Sequence, residues 1–406
     1  MILEPVREPE LDFSGESYGS LYPNLHRYPA TMLPQVGIWL LEKWGIQGGR
    51  FLDPYCGSGS SFASALAVGD FEMYGYDLNP LAVLISRAKF TLLDLATIEQ
   101  YYDALRDRLL GEKPTEITIP PIVNIDYWYA KEVQQDLAFI KQVLTETVVS
   151  PYADLFTLPF CETVRDCSYT RSNEFKLFRI PEKQIPTFQP DAIAYYLRRL
   201  SQTIEVYRLI YHPKLAQKRL DLYLENKAFQ NGVSEVDVVL TSPPYGDSRT
   251  TVAYGQFSNF ANEWLDVPQA RQIDNQLMGG KTATEPFTDG IIGAQITQIA
   301  EEHPKRAKEV SAFYMDLQKS IQKVAHAVKQ GGMVFYVLGN RTVKGVQLRT
   351  DLFTAEQFTQ NGFEHLTTYE RKIANKVMPS ANSPSNINGQ TAPTMTMEYI
   401  AVCRKK

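Results

Sequence analysis

Cysteine and histidine are scarce in this chain, four and five among 406 residues. Cys56, Cys161, Cys167 and Cys403 show neither paired metal-ligand spacing nor a disulfide framework, so no metal cluster is expected and a reducing compartment fits. No H-x-E partnered by C-x-x-C occurs, which excludes a zinc deaminase. An excess of positive charge is also missing. With 41 basic and 46 acidic side chains the net charge is -5, so any polyanion must be met by a local surface. No apolar run approaches the roughly 20 residues that span a bilayer. The opening MILEPVREPE lacks the basic start and apolar stretch of a secretion signal. These absences lead us to expect a soluble, cytoplasmic protein. What is present is ordinary globular composition, 44% apolar and 21% charged. The length suits two or three domains at roughly 100–200 residues each.

The hydrophobic pattern changes character along the chain. VGIWLLEKW reads as a helix, RFLDPY (50–55) as a strand, and GSGSSFASALAV as a turn and helix. FEMYGYD (71–77) and NPLAVLISRAKF repeat the strand and helix. That alternation implies a parallel sheet with crossovers, an α/β fold. From about 91 to 219 strand signals stop and helical ones such as AIAYYLRRLSQTIEVYRLIY take over, as expected of a helical insertion. Strands resume at LDLYLE (220–225), EVDVVLTS (235–242) and MVFYVLG (333–339), and MEYIAVCRK (397–405) reads as another. The division expected is therefore 1–90, 91–219 and 220–406. Residues 246–305 and 374–396, rich in Gly, Thr, Asn, Gln and Pro, read as long loops.

Two motifs carry chemistry. LDPYCGSGSS (52–61) puts Gly57 and Gly59 at a strand-to-helix turn, where backbone can approach a ligand and free N–H groups favour an electron-rich partner. Asp53 stands just ahead of the loop, and Asp77 ends the next strand 18 residues after Gly59, placed to take two ribose hydroxyls. NAD would fit this spacing too. Against it, Phe62 replaces the third glycine of G-x-G-x-x-G, and Asp53 would repel a pyrophosphate. An acid there suits a ligand bearing an ammonium group, such as the methionine end of S-adenosylmethionine.

The second motif, EVDVVLTSPPYGDS (235–248), runs a strand into Ser242, Pro243, Pro244 and Tyr245. Consecutive prolines cannot continue a ladder, which leaves their carbonyls free. An exocyclic amine of a nucleobase is a poor nucleophile because its lone pair is delocalised into the ring. Two acceptors, the Ser242 hydroxyl oxygen and the Pro243 carbonyl, can hold both N–H bonds and aim the lone pair at a methyl donor. Tyr245 offers a face for stacking the base. Methylation at ring carbon 5 would need a cysteine where Ser242 stands.

DPYCGSGS followed by TSPPYGDS resembles the amino-group DNA methyltransferases, and serine at the first position favours their cytosine-N4 type. The resemblance implies a Rossmann-like methyltransferase sheet interrupted by the helical insertion, with S-adenosylmethionine as cofactor. LHRYPATMLP (25–34), holding Tyr28 and Thr31, is similar to the segment that closes over the methionine carboxylate. Tyr55 falls within the glycine-loop motif, and GYDLNP (75–80), with Asp77 and Asn79, matches the ribose element. The family's Gly-Asp pair after the third strand is absent; LENKA (224–228) stands there, so Glu225 or Asn226 takes that work, with Asn226 carried as the cofactor contact. GNRTVKG (339–345) matches the far wall of the target pocket. The implied substrate is double-stranded DNA with the base flipped out, in restriction-modification beside a cognate endonuclease. Adenine-N6 or RNA amino methylation is the nearest alternative, and an NAD-binding oxidoreductase a more distant one.

Within this acidic chain, residues 165–220 carry eleven basic against five acidic side chains, with Tyr169, Phe175 and Phe178 interleaved. Arg165, Arg171 and Lys176 are accordingly expected to contact phosphates. Arg249, just after the SPPY turn, is expected to meet DNA near the target.

Overall fold

The computed structural model describes residues 2–171, 174–247, 254–373, 381–382, 392–393 and 395–406. Its centre is an eight-stranded sheet: β1 (Val6–Arg7), β2 (Gly48–Asp53), β3 (Asp70–Tyr76), β4 (Asp221–Glu225), β5 (Val236–Thr241), β6 (Val328–Leu338), β7 (Phe363–Lys372) and β8 (Met397–Lys405). The spatial order is β1-β7-β8-β6-β5-β2-β3-β4. Strands β4, β3, β2, β5 and β6 run parallel, while β8 inserts antiparallel between β6 and β7. β1 pairs with β7 at the far edge, Val6 against Tyr369.

Alternation along the strands builds two cores. Phe51, Leu240, Phe335, Val337, Ile400 and Val402 face one side, and Leu52, Val239, Val334, Tyr336, Ala401 and Cys403 the other. The first side is covered by the helices Pro34–Lys43, Ser60–Val68 and Pro80–Phe90, the second by Gly290–Glu302, Pro304–Ala327 and Thr350–Gln360. Both faces buried is what a parallel α/β sheet requires.

Between residues 91 and 219 the main helices are Leu95–Leu110, Lys131–Thr147, Ala153–Asp166 and Ala192–Val206. Ala153–Asp166 packs on Pro80–Phe90, so the insertion's apolar residues run without a break into the sheet's core. Cys161 and Cys167 lie buried there.

The long loop expected over 246–305 is corrected. It contains the helices Tyr254–Trp264 and Gly290–Glu302. Their buried residues recur at helical spacing, Phe257, Phe260, Ala261 and Trp264 in one and Ile292, Ile296 and Ile299 in the other, beneath a polar composition that hides the pattern. Strand β7 carries no sequence signal for a strand, because its buried Phe363, His365 and Thr368 are mixed in polarity and break step at a bulge. Most of 374–396 lies outside the described residues.

Candidate active site

Chain order places β2, β3 and β4 to one side and β5 and β6 to the other, so the sheet's direction of growth reverses between β2 and β5. Open α/β sheets bind ligands at the carboxyl ends of strands beside such a reversal. A cavity of about 300 Å³ sits at that place. Its lining includes Tyr28, Thr31, Asp53, Tyr55, Gly57, Asp77 and Asn79 from the glycine-loop side, and Ser242 and Pro244 from the SPPY turn. The two motifs thus face one space.

Asp53 ties the two sides together. Its Oδ1 accepts from the Tyr55 N–H (3.0 Å) and from Thr241 Oγ1 on the neighbouring strand (2.5 Å), and Ser61 Oγ donates to its Oδ2. A carboxylate has about four acceptor positions, so one is left for a ligand's cation. Burial pushes Asp53 up to about 6, against the lowering effect of Ser61, Thr241 and the Tyr55 amide. Asp77 accepts from the N–H groups of Gly57 (3.0 Å) and Asn79 (2.8 Å), and burial pushes it to about 6 as well. Those two bonds fix the carboxylate at the strand end and leave lone pairs for hydroxyl groups.

Gly57 and Gly59 both adopt left-handed backbone, φ 49° and 82°. They differ in role. Gly57 lines the cavity, whereas a Cβ on Gly59 would lie 2.5 Å from the Phe90 ring; Gly59 seats the helix Ser60–Val68 and does not reach the cavity. Asn79 caps Pro80–Phe90 by accepting from Leu81 N (3.3 Å) and donates to the Tyr28 hydroxyl (3.1 Å), whose ring stacks on Tyr254. Asn226 donates to the Asp77 carbonyl (2.9 Å) and stays outside the cavity. Ala228 and Phe229 line the wall where Asn226 was expected, which corrects that assignment. The backbone turns after β4, so the side chains two and three positions past Asn226 line the cavity.

At the SPPY turn Pro243 is buried and Tyr245 lies behind Ser242. Ser242 Oγ donates to the Tyr245 hydroxyl at 3.3 Å, and that hydroxyl donates to Glu398 Oε1 at 3.0 Å. Arg371, itself buried, holds Glu398 Oε2 at 2.6 Å. Burial, reinforced by the Glu398 charge, raises the Tyr245 phenol well above its ordinary value, so it stays a donor toward Glu398. The Ser242 hydrogen is thereby drawn backward, and its lone pairs are left for the cavity. Next to the turn, Asp247 is gripped by Arg306 and Arg341, each at 3.0 Å.

The residues expected to touch DNA fare unequally. Arg165 is only 6% exposed. Its guanidinium donates to the carbonyls of Phe257 (3.0 Å) and Glu174 (2.5 Å) and lies over the Phe257 ring. Burial draws its pKa down to about 10. It is a buried strut, which corrects the expected phosphate contact. Arg171 and Lys176 are exposed. Arg249 lies outside the described residues.

Sequence reasoning missed the cavity wall supplied by Phe229, Tyr254, Met278, Asp316, Lys319 and Ser320. Only Phe229 and Tyr254 had a signal, being aromatic residues close after a motif strand.

The Type II methyltransferase M.MvaI of Kocuria varians is 34% identical over 427 aligned residues, which cover 97% of this chain and 93% of the relative. No protein-family profile matches the chain. Two solved structures align over most of their length with little agreement. A putative S-adenosylmethionine dependent methyltransferase from Listeria monocytogenes has TM-score 0.29 and 9% identity, with 92% of this chain and 99% of that one covered. The rRNA methyltransferase aviRa from Streptomyces viridochromogenes has TM-score 0.30 and 10% identity, covering 93% and 88%. Likenesses this slight carry no argument, and the Rossmann-like fold rests on the strand order itself. The cofactor is S-adenosylmethionine, and the cavity fits it, with carboxylates for its cation and hydroxyls and an aromatic wall for its ring. Identity of this extent over nearly the whole length reflects common descent, and the chain belongs to the Type II methyltransferase family.

Proposed function

We propose that the protein methylates the exocyclic amine of a base in double-stranded DNA, cytosine N4 in particular, as the modification half of a restriction-modification pair. The observation that carries this reading is the single cavity shared by Asp53, Gly57 and Asp77 on one side and Ser242 and Pro244 on the other. The relative's designation as a Type II methyltransferase supports the pairing with an endonuclease. When bound, S-adenosylmethionine supplies an electrophilic methyl group on a sulfonium. Asp77 takes the ribose hydroxyls and Asp53 faces the positive end. Gly57, beside Tyr28 and Thr31, lets the backbone come close, while Tyr55 and Asn79 shape the loop and its neighbouring cap. Asn226 acts on the site through the Asp77 carbonyl.

The target base enters opposite. Ser242 and the Pro243 carbonyl accept its two N–H bonds, drawing the nitrogen toward tetrahedral geometry and localising its lone pair. Pro244 shapes the wall, and Tyr245 acts from behind Ser242. Methylation makes the amine acidic, and the hydrogen-bonded path from Ser242 through Tyr245 leads its proton to the Glu398 carboxylate. The amine is inaccessible in a stacked duplex, so the base leaves the helix first, at a cost of roughly a few kcal/mol.

The test is chemical identification of the product. DNA from a methylation-free host is treated with the enzyme and S-adenosylmethionine, digested to nucleosides and resolved by mass spectrometry, and sites are mapped by single-molecule sequencing. N4-methylcytosine at a fixed sequence is expected. N6-methyladenine would give the same geometry to a different base and overturn the cytosine assignment. No modified DNA, with methylated RNA instead, would overturn the DNA reading.

A further inference from the structure

Two half-exposed phenylalanines lie on a segment joined to the cavity wall through Phe257 and Tyr28. Phe175 is 50% and Phe178 45% exposed. Their segment is tied to the chain before it by a bridge between Thr170 and Arg179 and by Arg171 N–H donating to the Phe178 carbonyl at 2.9 Å. The turn is anchored rather than loose. The buried strut Arg165 binds the carbonyl of Glu174 on one side and that of Phe257 on the other, and the Phe175 ring meets Phe257 at 5.8 Å. Phe257 in turn meets Tyr28 edge-on at 6.2 Å, and Tyr28 with its stacked partner Tyr254 lines the cavity. A buried arginine thus fixes the backbone that carries Phe175, whose ring is tied through Phe257 to the cavity wall, with Phe178 three residues on.

We propose that the Phe175–Phe178 turn enters the duplex and fills the space of the displaced base; this rests on the DNA reading above. Aromatic and aliphatic side chains pushed between base pairs replace the stacking that the extruded base gives up. The charge around the turn fits a nucleic acid. Residues 171–183 hold Arg171, Lys176, Arg179 and Lys183 against Glu174 and Glu182, in a protein whose net charge is negative. Arg171 lies over the Phe178 ring at 5.8 Å, so cation and ring are presented together, one for a phosphate and one for a base. A neutral protein surface would suit the rings but gain nothing from the surrounding cations, whereas a nucleic acid uses both.

The test separates base extrusion from the chemistry that follows. Two duplexes carry the mapped site, one with the target base paired and one with it opposite an abasic position, where extrusion is already cheap. Single-turnover methylation by the full-length enzyme is measured on both, for wild type, Phe175→Ala/Phe178→Ala and Phe175→Trp. The double alanine variant should slow at least tenfold on the paired duplex and less than threefold on the abasic one. Phe175→Trp, which keeps an aromatic face, should stay within threefold of wild type on both. Equal slowing on both duplexes would mean a structural role and overturn the proposal. Unchanged rates would overturn it too and leave the turn to a protein partner. A wild-type enzyme inactive on both duplexes would refute the DNA reading itself, and this proposal with it.

Discussion

Replacing Tyr245 with phenylalanine isolates the work of one hydroxyl. The ring remains, and with it the packing behind Ser242. Two hydrogen bonds disappear, the one accepted from Ser242 at 3.3 Å and the one donated to Glu398 at 3.0 Å. Glu398 keeps its pairing with Arg371 at 2.6 Å, so no charge is orphaned and the fold should survive. The reaction suffers more than the fold does. Freed from Tyr245, the Ser242 hydroxyl can rotate and point its hydrogen at the amine it should be holding. A misdirected acceptor forfeits about 1.5–3 kcal/mol in the transition state, by analogy with single bonds to charged groups. At about 1.4 kcal/mol per factor of ten, kcat should fall roughly ten- to a hundredfold. Single-turnover methylation measures the loss, and calorimetry with S-adenosylmethionine should find cofactor affinity within about twofold of wild type. Glu398→Gln, which keeps an acceptor oxygen for Tyr245, should lose less. If Tyr245→Phe retains wild-type kcat, Ser242 needs no orientation and the reasoning fails.

Three further outcomes follow from the same geometry. Asp77→Ala should weaken S-adenosylmethionine binding by roughly 1.5–3 kcal/mol, the range for hydrogen bonds to a charged group, and calorimetry would show it. Asp53 binds its proton more tightly folded than unfolded, its pKa raised from 3.8 to about 6, so its contribution favours folding below about pH 4 and is lost as pH rises through 6. Asp53→Asn should therefore raise the melting temperature relative to wild type at pH 8, with the gain gone at pH 4, in thermal scans across that range. Gly59→Ala forces a left-handed residue to carry a Cβ 2.5 Å from Phe90, and chemical denaturation should show a loss of at least about 1–3 kcal/mol.

What the sequence discloses about this site depends on how local the chemistry is. The glycine turn and the SPPY turn are backbone devices, written in consecutive residues, and strand patterns either side place both at the carboxyl ends of β2 and β5. Glu398 and Arg371 could not be read that way. Glu398 reaches Tyr245 from β8 and Arg371 braces it from β7, and nothing in MEYIAVCRK marks its glutamate as anything but a strand-end charge. Arg165 shows the reverse failure. A basic count over 165–220 treats every arginine as a surface charge, and only the packing of Phe257 and Glu174 around it reveals that this one faces inward. The polar-looking stretch 246–305 misled for a related reason, since one apolar residue in three or four suffices to seat a helix.

The placement of β8 sets an order on how the protein can come into being. A ribosome extends a chain by roughly 5–20 residues each second, so Val6 waits about 20–70 s for its partner Tyr369 on β7. Tyr245 likewise emerges 153 residues before Glu398, the carboxylate that orients it. Until β8 slides between β6 and β7, the nascent chain can already possess its cofactor cavity, formed by strands made earlier, while the serine that would receive the base has no settled direction. On the proposed mechanism, orientation of Ser242 waits for β8, and a chain interrupted before it should bind cofactor without methylating.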